Sequence, residues 1–427
     1  MSDFLLTKTG EHFREHHNYP DGEDVSSSFS ELPPPIIFSK KTSEKCADFF
    51  ARDNQIFIHT SYYIGVDHIG KTGKTIYIQP KLNEAYKQTN YLEMLFSVLK
   101  HPEISNYTDD LFDIKWEATQ IAITQQQDLL TPLLVVQFLK VVQQIVRKGV
   151  KKSYFKVEQN LHCRVKGKIL TGKTIKQNLF KNKTLNTYCS FDEFGINNPE
   201  NRLLKKALVF VQRYLPTLNI KHSEKYMKDV FAYIMPAFEF VSEEVSLHDV
   251  KHAHYNAFYK EYVQGIHFAR LILKRFGYNI SNTQQTKIST PPFWIDMSKL
   301  FELYVLGMLK EKFWNEVEYQ YQANYGQPDF LLTKENEKTI IDTKYKTIYQ
   351  EEKYDIDNIR QLSGYSRDKG VLRKLGIISD EEQKKTVVKC LIIYPDQKAE
   401  KDIWQNQETE IEGFVNFYKR PVKLPVI

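Results

Sequence analysis

Residues 327–346, QPDFLLTKENEKTIIDTKYK, constrain the fold most, because they predict a β-hairpin with charged side chains on one strand. The run PDFLLT predicts a short strand that Pro328 can begin, KENEK a polar turn, and TIIDTKY a second strand. Asp342 and Lys344 are two residues apart, so they project from the same face of the second strand. Two charges on one face of an otherwise apolar strand are costly, so they need a partner.

A divalent cation would offset these charges. Asp329 on the first strand and Asp342 on the second could chelate one magnesium ion, with water completing its oxygen shell. Lys344 would then lie beside the metal, where it can orient a water molecule or stabilise charge on a phosphorane. This set of residues suits metal-assisted phosphodiester hydrolysis. The alternative interpretation is an amphipathic hairpin with exposed charges.

The run WIDMSKLFELYVLGMLKEKFW predicts a helix that precedes this hairpin and is capped near Asp296 or Ser298. Glu302 is the only charge between Leu300 and Leu309. A carboxylate in such apolar surroundings needs a partner, either a metal ion or its bound water, or a lysine in a buried salt bridge. Glu302 is therefore a third candidate site residue and metal ligand.

The segment DIDNIRQLSGYSR, which follows the hairpin, predicts a helix with Gln361 and Tyr365 four residues apart on one face. After it, VVKCLIIYP is apolar enough for a central strand. The predicted order of this region is helix, strand, hairpin strand, helix and strand.

The stretch GVDHIGKT fits the phosphate-loop pattern G-x-x-x-x-G-K-[ST], with Gly65, Gly70, Lys71 and Thr72 at the specified positions. A phosphate loop must run into a helix whose N-terminal amides hold the phosphates. Here the following residues, KTIYIQ, alternate as a strand does. We therefore interpret the match as accidental, predict a hairpin with Gly70 and Gly73 in its turn, and expect no nucleotide site.

Composition is ordinary for a globular protein, with 41% hydrophobic and 26% charged residues, and a length of 427 residues predicts two or three domains. No signal peptide or membrane span is recognisable, and the four cysteines form no C-x-x-C pair. These features favour a reduced cytoplasmic setting and no membrane partner.

Three regions are expected along the chain. Residues 1–54 predict a polar N-terminal arm, residues 55–280 a region with the hairpin and several helices, and residues 281–427 a separate domain. Net charge is only +6, but Arg147–Lys183 holds twelve Lys or Arg and a single acid, Glu158. That stretch is equally compatible with a polyanion-binding surface and with a solvated face.

The arrangement Asp329, then Asp342-x-Lys344, after a glutamate-bearing helix, resembles the core of PD-(D/E)xK nucleases, and Gln361 resembles the Q-x-x-x-Y element of several branches. The chain also resembles the McrC family, the nuclease subunit of McrBC modified-cytosine restriction systems. The similar segments are YYIGVDHIGKTGKTIYIQPKL with its I-x-P-K end, LHCRVKGKIL, and YCSFDEFGINNPENRLLKKAL. The first fifty residues match nothing in this family.

This resemblance implies an α/β chain whose C-terminal domain has a mixed sheet flanked by helices, as in restriction endonucleases. It implies catalytic roles for Asp329, Asp342, Lys344, Glu302 and Gln361, with the three acids binding Mg²⁺ or Mn²⁺. It also implies double-stranded DNA as the substrate and a hexameric McrB-type AAA+ GTPase as the partner, bound through residues 55–280. DNA-contacting residues cannot be assigned from the sequence.

Two other functions are compatible with the same residues. One is a stand-alone nuclease of this core that acts in DNA repair or recombination without a GTPase. The other is a non-catalytic activator of a partner NTPase. An activator has no need of three converging charged groups, so Asp329, Asp342 and Lys344 weigh against it.

Overall fold

The computed structural model of the chain describes residues 3–39, 43–81, 89–99, 104–108, 110–115, 117–124, 130–214, 224–246, 250, 259–281, 287–334, 337–350 and 353–426. The chain divides into two compact units. The first unit includes Met1–Leu130 and Gln285–Ile427, and the second includes Thr131–Asn219 and Glu224–Gln284.

Strands occur throughout the first unit and in one part of the second. In chain order they are β1 (Asp3–Phe4), β2 (Phe13–Arg14), β3 (Glu23–Asp24), β4 (Ile36–Ile37), β5 (Lys45–Arg52), β6 (Gln55–Thr60), β7 (Tyr63–His68), β8 (Lys74–Gln79), β9 (Phe112–Ile114), β10 (Ile121–Thr124), β11 (Ser153–His162), β12 (Lys168–Ile169), β13 (Asn186–Gly195), β14 (Lys287–Thr290), β15 (Phe293–Asp296), β16 (Val317–Tyr319), β17 (Phe330–Thr333), β18 (Lys338–Thr343), β19 (Lys389–Pro395), β20 (Thr409–Glu410) and β21 (Phe417–Val422).

The helices are interspersed among these strands, which makes the chain a mixed α/β protein as expected. They are α1 (Tyr91–Leu99), α2 (Leu130–Lys148), α3 (Thr171–Gln177), α4 (Pro199–Tyr214), α5 (Glu224–Ile234), α6 (Lys260–Ser281), α7 (Met297–Phe313), α8 (Ile356–Tyr365), α9 (Lys369–Lys374) and α10 (Asp380–Lys385). Among the described residues, no helix is both long enough and apolar enough to cross a membrane.

The GVDHIGKT stretch forms the predicted hairpin, because β7 and β8 pair in antiparallel register on either side of it. Gly70 and Gly73 have φ angles of 51° and 76°, which suit the turn between the strands. Gly65 lies within β7, which pairs with β15, and a Cβ there would approach the Phe293 carbonyl oxygen to 2.1 Å. The first glycine of the pattern is thus explained by close packing of two strands.

The prediction of a polar arm at residues 1–54 is wrong, because this segment is built into the sheets of the first unit. Strands β1 and β2 pair in parallel with β8, β3 pairs with β6, and β4 pairs with β5. Its apolar side chains join one buried cluster with Trp294 of β15, namely Leu5, Phe13, Val25, Ile36 and Phe38. Phe13 and Val25 stand among polar neighbours, and the others lie in short apolar runs, FLL and IIF, so no periodicity marks these residues in the sequence.

The C-terminal region forms a mixed six-stranded sheet in the order β16-β17-β18-β19-β21-β20. Strands β17 and β18 are the antiparallel hairpin expected from the sequence, whereas β18, β19 and β21 run parallel. Residues of α8 share a core cluster with the sheet, including Ile359 and Leu362 with Ile340 and Cys390. The predicted mixed sheet is confirmed. The elements that the sequence pattern did not predict are β16, β20, β21, α9 and α10.

The second unit combines a three-stranded antiparallel sheet with helices. Strand β13 lies between β11 and β12, and β11 and β13 form a ten-residue ribbon. Asn198 caps α4, since its Oδ1 accepts a hydrogen bond from the Asn201 N–H at 3.0 Å. Gly172 lies inside α3. Helix α6 is the last helix of this unit, and residues 247–249 and 251–258 before it lie outside the described residues.

The unit boundaries differ from the predicted domains. The first unit joins the N-terminal segment, the β7–β8 hairpin and the C-terminal sheet, because β15 pairs with β7 and leads directly into α7. The predicted boundary at residues 280/281 falls close to the junction at Gln284/Gln285, with α6 continuing through Ser281. Pairing between distant strands therefore places the candidate site residues and the hairpin in one unit.

Candidate active site

Three of the predicted residues, Glu302, Asp329 and Lys344, line a cleft of about 280 Å³ in the first unit, where β15, α7, β17 and β18 meet. The other two, Asp342 and Gln361, do not line it but contact Lys344. The residues that line it are Tyr62, Asp296, Ser298, Lys299, Glu302, Asp329, Thr343, Lys344, Tyr345 and Lys346. The carboxyl end of β18 and the first turns of α7 both point their side chains into this space. Charged and polar groups thus converge where the carboxyl end of β18 faces the first turns of α7.

Asp296 joins β15 to α7 and fixes the orientation of the helix. Its side chain accepts a hydrogen bond from the Lys299 N–H at 2.9 Å, which is a helix N-cap of the kind predicted there. Burial raises the pKa of Asp296 to about 6, although this capping bond acts in the opposite direction. A carboxylate with a raised pKa at the cleft wall adds to the negative charge that the site must offset.

Glu302 lies one turn further along α7 and is mostly buried, with 13% of its side chain exposed. Its Oε1 accepts a hydrogen bond from Gln320 Nε2 at 2.8 Å, while Lys299 Nζ stays 3.5 Å from both carboxylate oxygens. Lys299 Nζ makes its shorter contact with the Tyr319 hydroxyl, at 2.6 Å. The lysine salt bridge considered as an alternative is therefore present but long, and it leaves Glu302 incompletely neutralised.

Asp329 stands immediately before β17 and is held by the neighbouring strand. Its Oδ2 accepts two hydrogen bonds from Thr343, one from the backbone N–H at 2.7 Å and one from the hydroxyl at 2.5 Å. Burial raises the pKa of Asp329 well above its usual range, and repulsion from Asp342 and Glu302 raises it further. The two aspartates predicted as ligands are thus close enough to repel each other.

Asp342 and Lys344 form the central contact of the site. Lys344 Nζ lies 2.6 Å from Asp342 Oδ2, and the side chains are only 17% and 2% exposed. Burial raises the pKa of Asp342, and the Lys344 ammonium offsets this only in part. Burial acts to lower the pKa of Lys344, but Asp342 more than compensates and the pKa is raised. The prediction that both side chains lie on the same side of the strand end is confirmed.

Gln361 approaches the same lysine from α8. Its Oε1 accepts a hydrogen bond from Lys344 Nζ at 3.1 Å, and its Nε2 donates to the Tyr365 hydroxyl at 3.0 Å. The Tyr365 hydroxyl also accepts a hydrogen bond from the Gln327 N–H at 3.3 Å, on the segment that leads to Asp329. The predicted pair on one face of the helix therefore links Lys344 to the loop before β17.

The carboxylates fit a divalent cation as a pair. Asp342 Oδ2 is buried and accepts no hydrogen bond of good geometry, its neighbour being the Lys344 ammonium, and the nearby Asp329 carboxylate is destabilised in its charged form. Two oxygen ligands of this kind suit magnesium or manganese. Across the described ranges, no three His, Cys, Asp or Glu side chains are arranged to hold a metal ion. Glu302 lines the cleft without joining such a group.

Several residues of the site were not found from the sequence. Thr343 binds Asp329 through two hydrogen bonds, and Gln320 binds Glu302, although neither lies in a recognisable motif. Tyr62 and Lys346 also line the cleft. In the sequence, the signal that could have identified Thr343 as a site residue is its position between Asp342 and Lys344. A hydroxyl between two charged residues at a strand end is placed to bind the acid of the neighbouring strand.

The solved structures that are similar to this chain include two from Thermococcus gammatolerans. One is a half-complex of McrB AAA+ hexamers with bound McrC, 15% identical, covering 88% of this chain and 80% of that chain with a TM-score of 0.34. The other is a McrBC complex, 15% identical, covering 72% of this chain and 87% of that chain with a TM-score of 0.27. Among curated proteins, none matches this chain.

A family model described as "McrBC 5-methylcytosine restriction system component" matches residues 58–367. The match extends from β6 through the hairpin and both units to the end of α8, so it includes every candidate site residue. It covers well over half of the chain, which is enough to establish membership. The chain therefore belongs to the family of McrBC 5-methylcytosine restriction system components.

Proposed function

We propose that this protein is the metal-dependent DNA endonuclease subunit of an McrBC-type restriction complex. Family membership supports the restriction role. The observation that carries the nuclease assignment is the buried contact between Lys344 Nζ and Asp342 Oδ2 at 2.6 Å, beside a second buried carboxylate, Asp329. Buried charges that repel one another are costly in a purely structural role, and they occur mainly where chemistry requires them.

The reaction proposed is hydrolysis of a phosphodiester. A water oxygen adds to phosphorus and one P–O ester bond breaks, which yields a phosphomonoester and an alcohol. A divalent cation, Mg²⁺ or Mn²⁺, held at Asp329 and Asp342 would supply Lewis-acid stabilisation of the phosphate and a more acidic water. The resemblance to PD-(D/E)xK nucleases agrees with this assignment.

Lys344 serves as the positive group beside the reacting phosphate. Its ammonium is held by Asp342 and by Gln361 Oε1, so it is oriented before the substrate arrives. A preoriented cation stabilises negative charge that develops on phosphate oxygens without reorganising at the moment of reaction. Gln361 is thereby assigned the role of positioning Lys344.

Glu302 is proposed as a supporting acid at the edge of the same cleft. Gln320 and Lys299 hold its carboxylate there, and its charge raises the pKa of Asp329. It can accept a proton from an attacking water. This role is subordinate to that of the two aspartates.

We further propose an McrB-type GTPase as the partner and double-stranded DNA as the substrate. The support is the family, whose description names a component of a 5-methylcytosine restriction system. The test uses methylated and unmethylated plasmids with the purified protein and Mg²⁺. Each is incubated with and without a McrB-type GTPase, the proposed partner, and with and without GTP, with Asp342→Ala as the control.

Cleavage only in the complete mixture, lost in the variant, is the expected result. Cleavage by the protein alone, lost in the variant, would identify a stand-alone nuclease and remove the proposed partner. If the complete mixture hydrolyses GTP faster yet leaves both plasmids intact, the protein is a non-catalytic activator and the nuclease proposal is wrong.

A further inference from the structure

A second buried charge cluster lies directly behind the candidate site and joins three distant parts of the chain. It consists of Glu15 between β2 and β3, Lys81 after β8, and Tyr345, the residue after Lys344. Glu15 is 1% exposed and Tyr345 is 4% exposed. None of the roles proposed above uses Glu15 or Lys81.

Lys81 is packed between aromatic rings. Its Nζ lies 3.9 Å from the centre of the Tyr345 ring and 4.2 Å from that of Tyr62, both of which line the cleft. It also donates a hydrogen bond of 2.6 Å to the Tyr345 carbonyl oxygen. A desolvated ammonium over two rings gains cation–π stabilisation, which fixes the side chain in one place. Lys81 therefore holds both the ring and the backbone of the residue after Lys344.

Glu15 completes the cluster from the N-terminal segment. A single oxygen, Oε1, accepts the Tyr345 hydroxyl at 2.9 Å and the Lys81 N–H at 3.0 Å. The other oxygen, Oε2, is buried and accepts no hydrogen bond. A buried carboxylate with one unsatisfied oxygen costs stability, so its presence calls for a compensating role.

The cluster acts on the backbone that carries the site. Thr343 N–H binds Asp329, Lys344 N–H binds the Ile393 carbonyl at 2.9 Å, and Lys346 N–H binds the Lys344 carbonyl at 2.7 Å. Between these bonds, the Tyr345 peptide is fixed by Lys81. A side chain held within a few tenths of an ångström needs such support from its surroundings.

We propose that Glu15 and Lys81 are positioning residues, which clamp Tyr345 and thereby hold the Lys344 ammonium against Asp342. The N-terminal segment is accordingly part of the frame of the active site, although Glu15 lies outside the family match at residues 58–367. The kinetic consequence rests on the proposed nuclease function. The structural consequence, ordering of residues 343–346, does not.

Hydrogen exchange measures the structural consequence without any activity. In Glu15→Ala, amide exchange in a peptide covering residues 343–346 is expected to accelerate by about tenfold or more. The matched control is Glu23→Ala, in the same segment. Glu23 is also a buried glutamate that accepts a backbone hydrogen bond, at 2.6 Å from Lys8, and its other partner, His17, lies in that segment too. Glu23→Ala is expected to leave exchange at 343–346 unchanged.

Kinetics measure the functional consequence. Glu15→Ala is expected to lower kcat for DNA cleavage about tenfold with KM unchanged, as misplacement of a catalytic group does. Glu15→Gln keeps an oxygen in the place of Oε1 and is expected to retain kcat within about twofold, because both hydrogen bonds can persist. If Glu15→Ala does not fold, Tyr345→Phe removes the same hydroxyl contact, keeps the ring over Lys81, and is expected to lower kcat in the same direction.

Each outcome decides one proposal. Unchanged exchange at residues 343–346 in both Glu15→Ala and Tyr345→Phe would overturn the clamp. Equal acceleration of exchange at residues 343–346 in Glu15→Ala and Glu23→Ala would also overturn the clamp, because the effect would then reflect the general stability of the N-terminal segment. If the wild-type protein cuts no DNA in any mixture, the nuclease proposal fails while the exchange result still decides the clamp.

Discussion

Two acid–lysine contacts, one in each unit, show opposite electrostatic behaviour. In the cleft of the first unit, Asp342 contacts Lys344 and its pKa is raised, because burial outweighs the ammonium. On the ribbon of the second unit, Glu158 of β11 contacts Lys173 of α3, and the hydrogen bond and charge of the lysine lower its pKa. The residue types are alike, so solvent access accounts for the difference.

The comparison explains how one kind of residue pair can serve two purposes. The side chains of Glu158 and Lys173 are 42% and 52% exposed, so water and salt screen their attraction and each remains available to other charged molecules. Asp342 and Lys344 are desolvated, so each charge strongly affects the other and any ion or substrate that enters. The cleft is thus suited to chemistry and the ribbon to weak, adaptable contact.

The largest effect is expected from removing the buried acid. Asp342→Ala should reduce DNA cleavage by about a thousandfold or more while the protein stays folded, because the change removes a proposed ligand and the partner of Lys344. Plasmid cleavage in the complete mixture and circular dichroism measure the two parts. The matched control, Glu158→Ala, removes an acid from a lysine contact on the ribbon and should cleave the plasmid as fast as the wild-type protein does. Equal losses of DNA cleavage in both variants would contradict the proposal that the buried contact, and not the exposed one, serves catalysis.

A second variant separates activity from stability. Asp329→Asn should abolish cleavage yet raise the unfolding midpoint in EDTA at neutral pH, since it removes a carboxylate whose pKa is raised by burial and by repulsion from Asp342. The gain should be about 1–2 °C for each kcal/mol of free energy relieved, because the shift shrinks as the unfolding unit grows. An unfolding midpoint below that of the wild-type protein would show that Asp329 is structural rather than strained.

The sign of the pH dependence follows from the same shift. A raised folded-state pKa gives stability that is fully present below the ordinary aspartate range, about 3.9, and is lost as pH rises through the folded value. Wild-type stability in EDTA should therefore fall with rising pH more steeply than that of Asp329→Asn. Asp296, whose pKa is raised to about 6, remains in both proteins and cancels in the difference. Added Mg²⁺ should reduce the difference.

A smaller effect is expected at Gln361, which is more exposed and contacts the site through a single bond to Lys344. Gln361→Ala should lower kcat about tenfold, because Lys344 loses one of the two groups that orient it. The control is Tyr365→Phe, which removes the hydrogen bond from Gln361 Nε2 but leaves Oε1 facing Lys344. Tyr365→Phe should therefore cut faster than Gln361→Ala, and the reverse order would contradict the assigned role.

The smallest effect is expected on the ribbon. Lys173→Ala should leave both cleavage at saturating DNA and the unfolding midpoint, within about 1 °C, unchanged, since exposed ion pairs contribute little to stability. Differential scanning calorimetry and the plasmid assay check this. A loss of stability comparable with that of a buried substitution would mean that the ribbon contacts are stronger than their exposure indicates.

Local patterns carried most of what could be predicted. The β17–β18 hairpin, the helix cap at Asp296 and the turn at Gly70 and Gly73 follow from neighbouring residues, and the structure confirms all three. Helix α3 was missed, because seven residues provide too little periodicity among lysines and threonines. Short elements stabilised by tertiary contacts leave a weak signal in the sequence.

Long-range contacts could not be predicted. Glu15 and Tyr345 are separated by 330 positions, and nothing near either residue indicates that they form a hydrogen bond. Gln320 likewise gives no sign in the sequence of its contact with Glu302. For the candidate site, the sequence therefore identified the charged groups but not the neutral residues that hold them, because those depend on how distant strands pair.

The first unit is discontinuous in the sequence, since the second unit is inserted between Leu130 and Gln285. Antiparallel pairing of β10 with β14 brings the two crossing segments side by side. During synthesis, the inserted unit is therefore complete before β15 exists to pair with β7. Until β15 has been synthesised, the edge of β7 that will pair with it stays open, and such an edge is prone to aggregation. We expect the pairing of β14 with β10 and of β15 with β7 to limit the rate at which a newly synthesised chain reaches its folded structure.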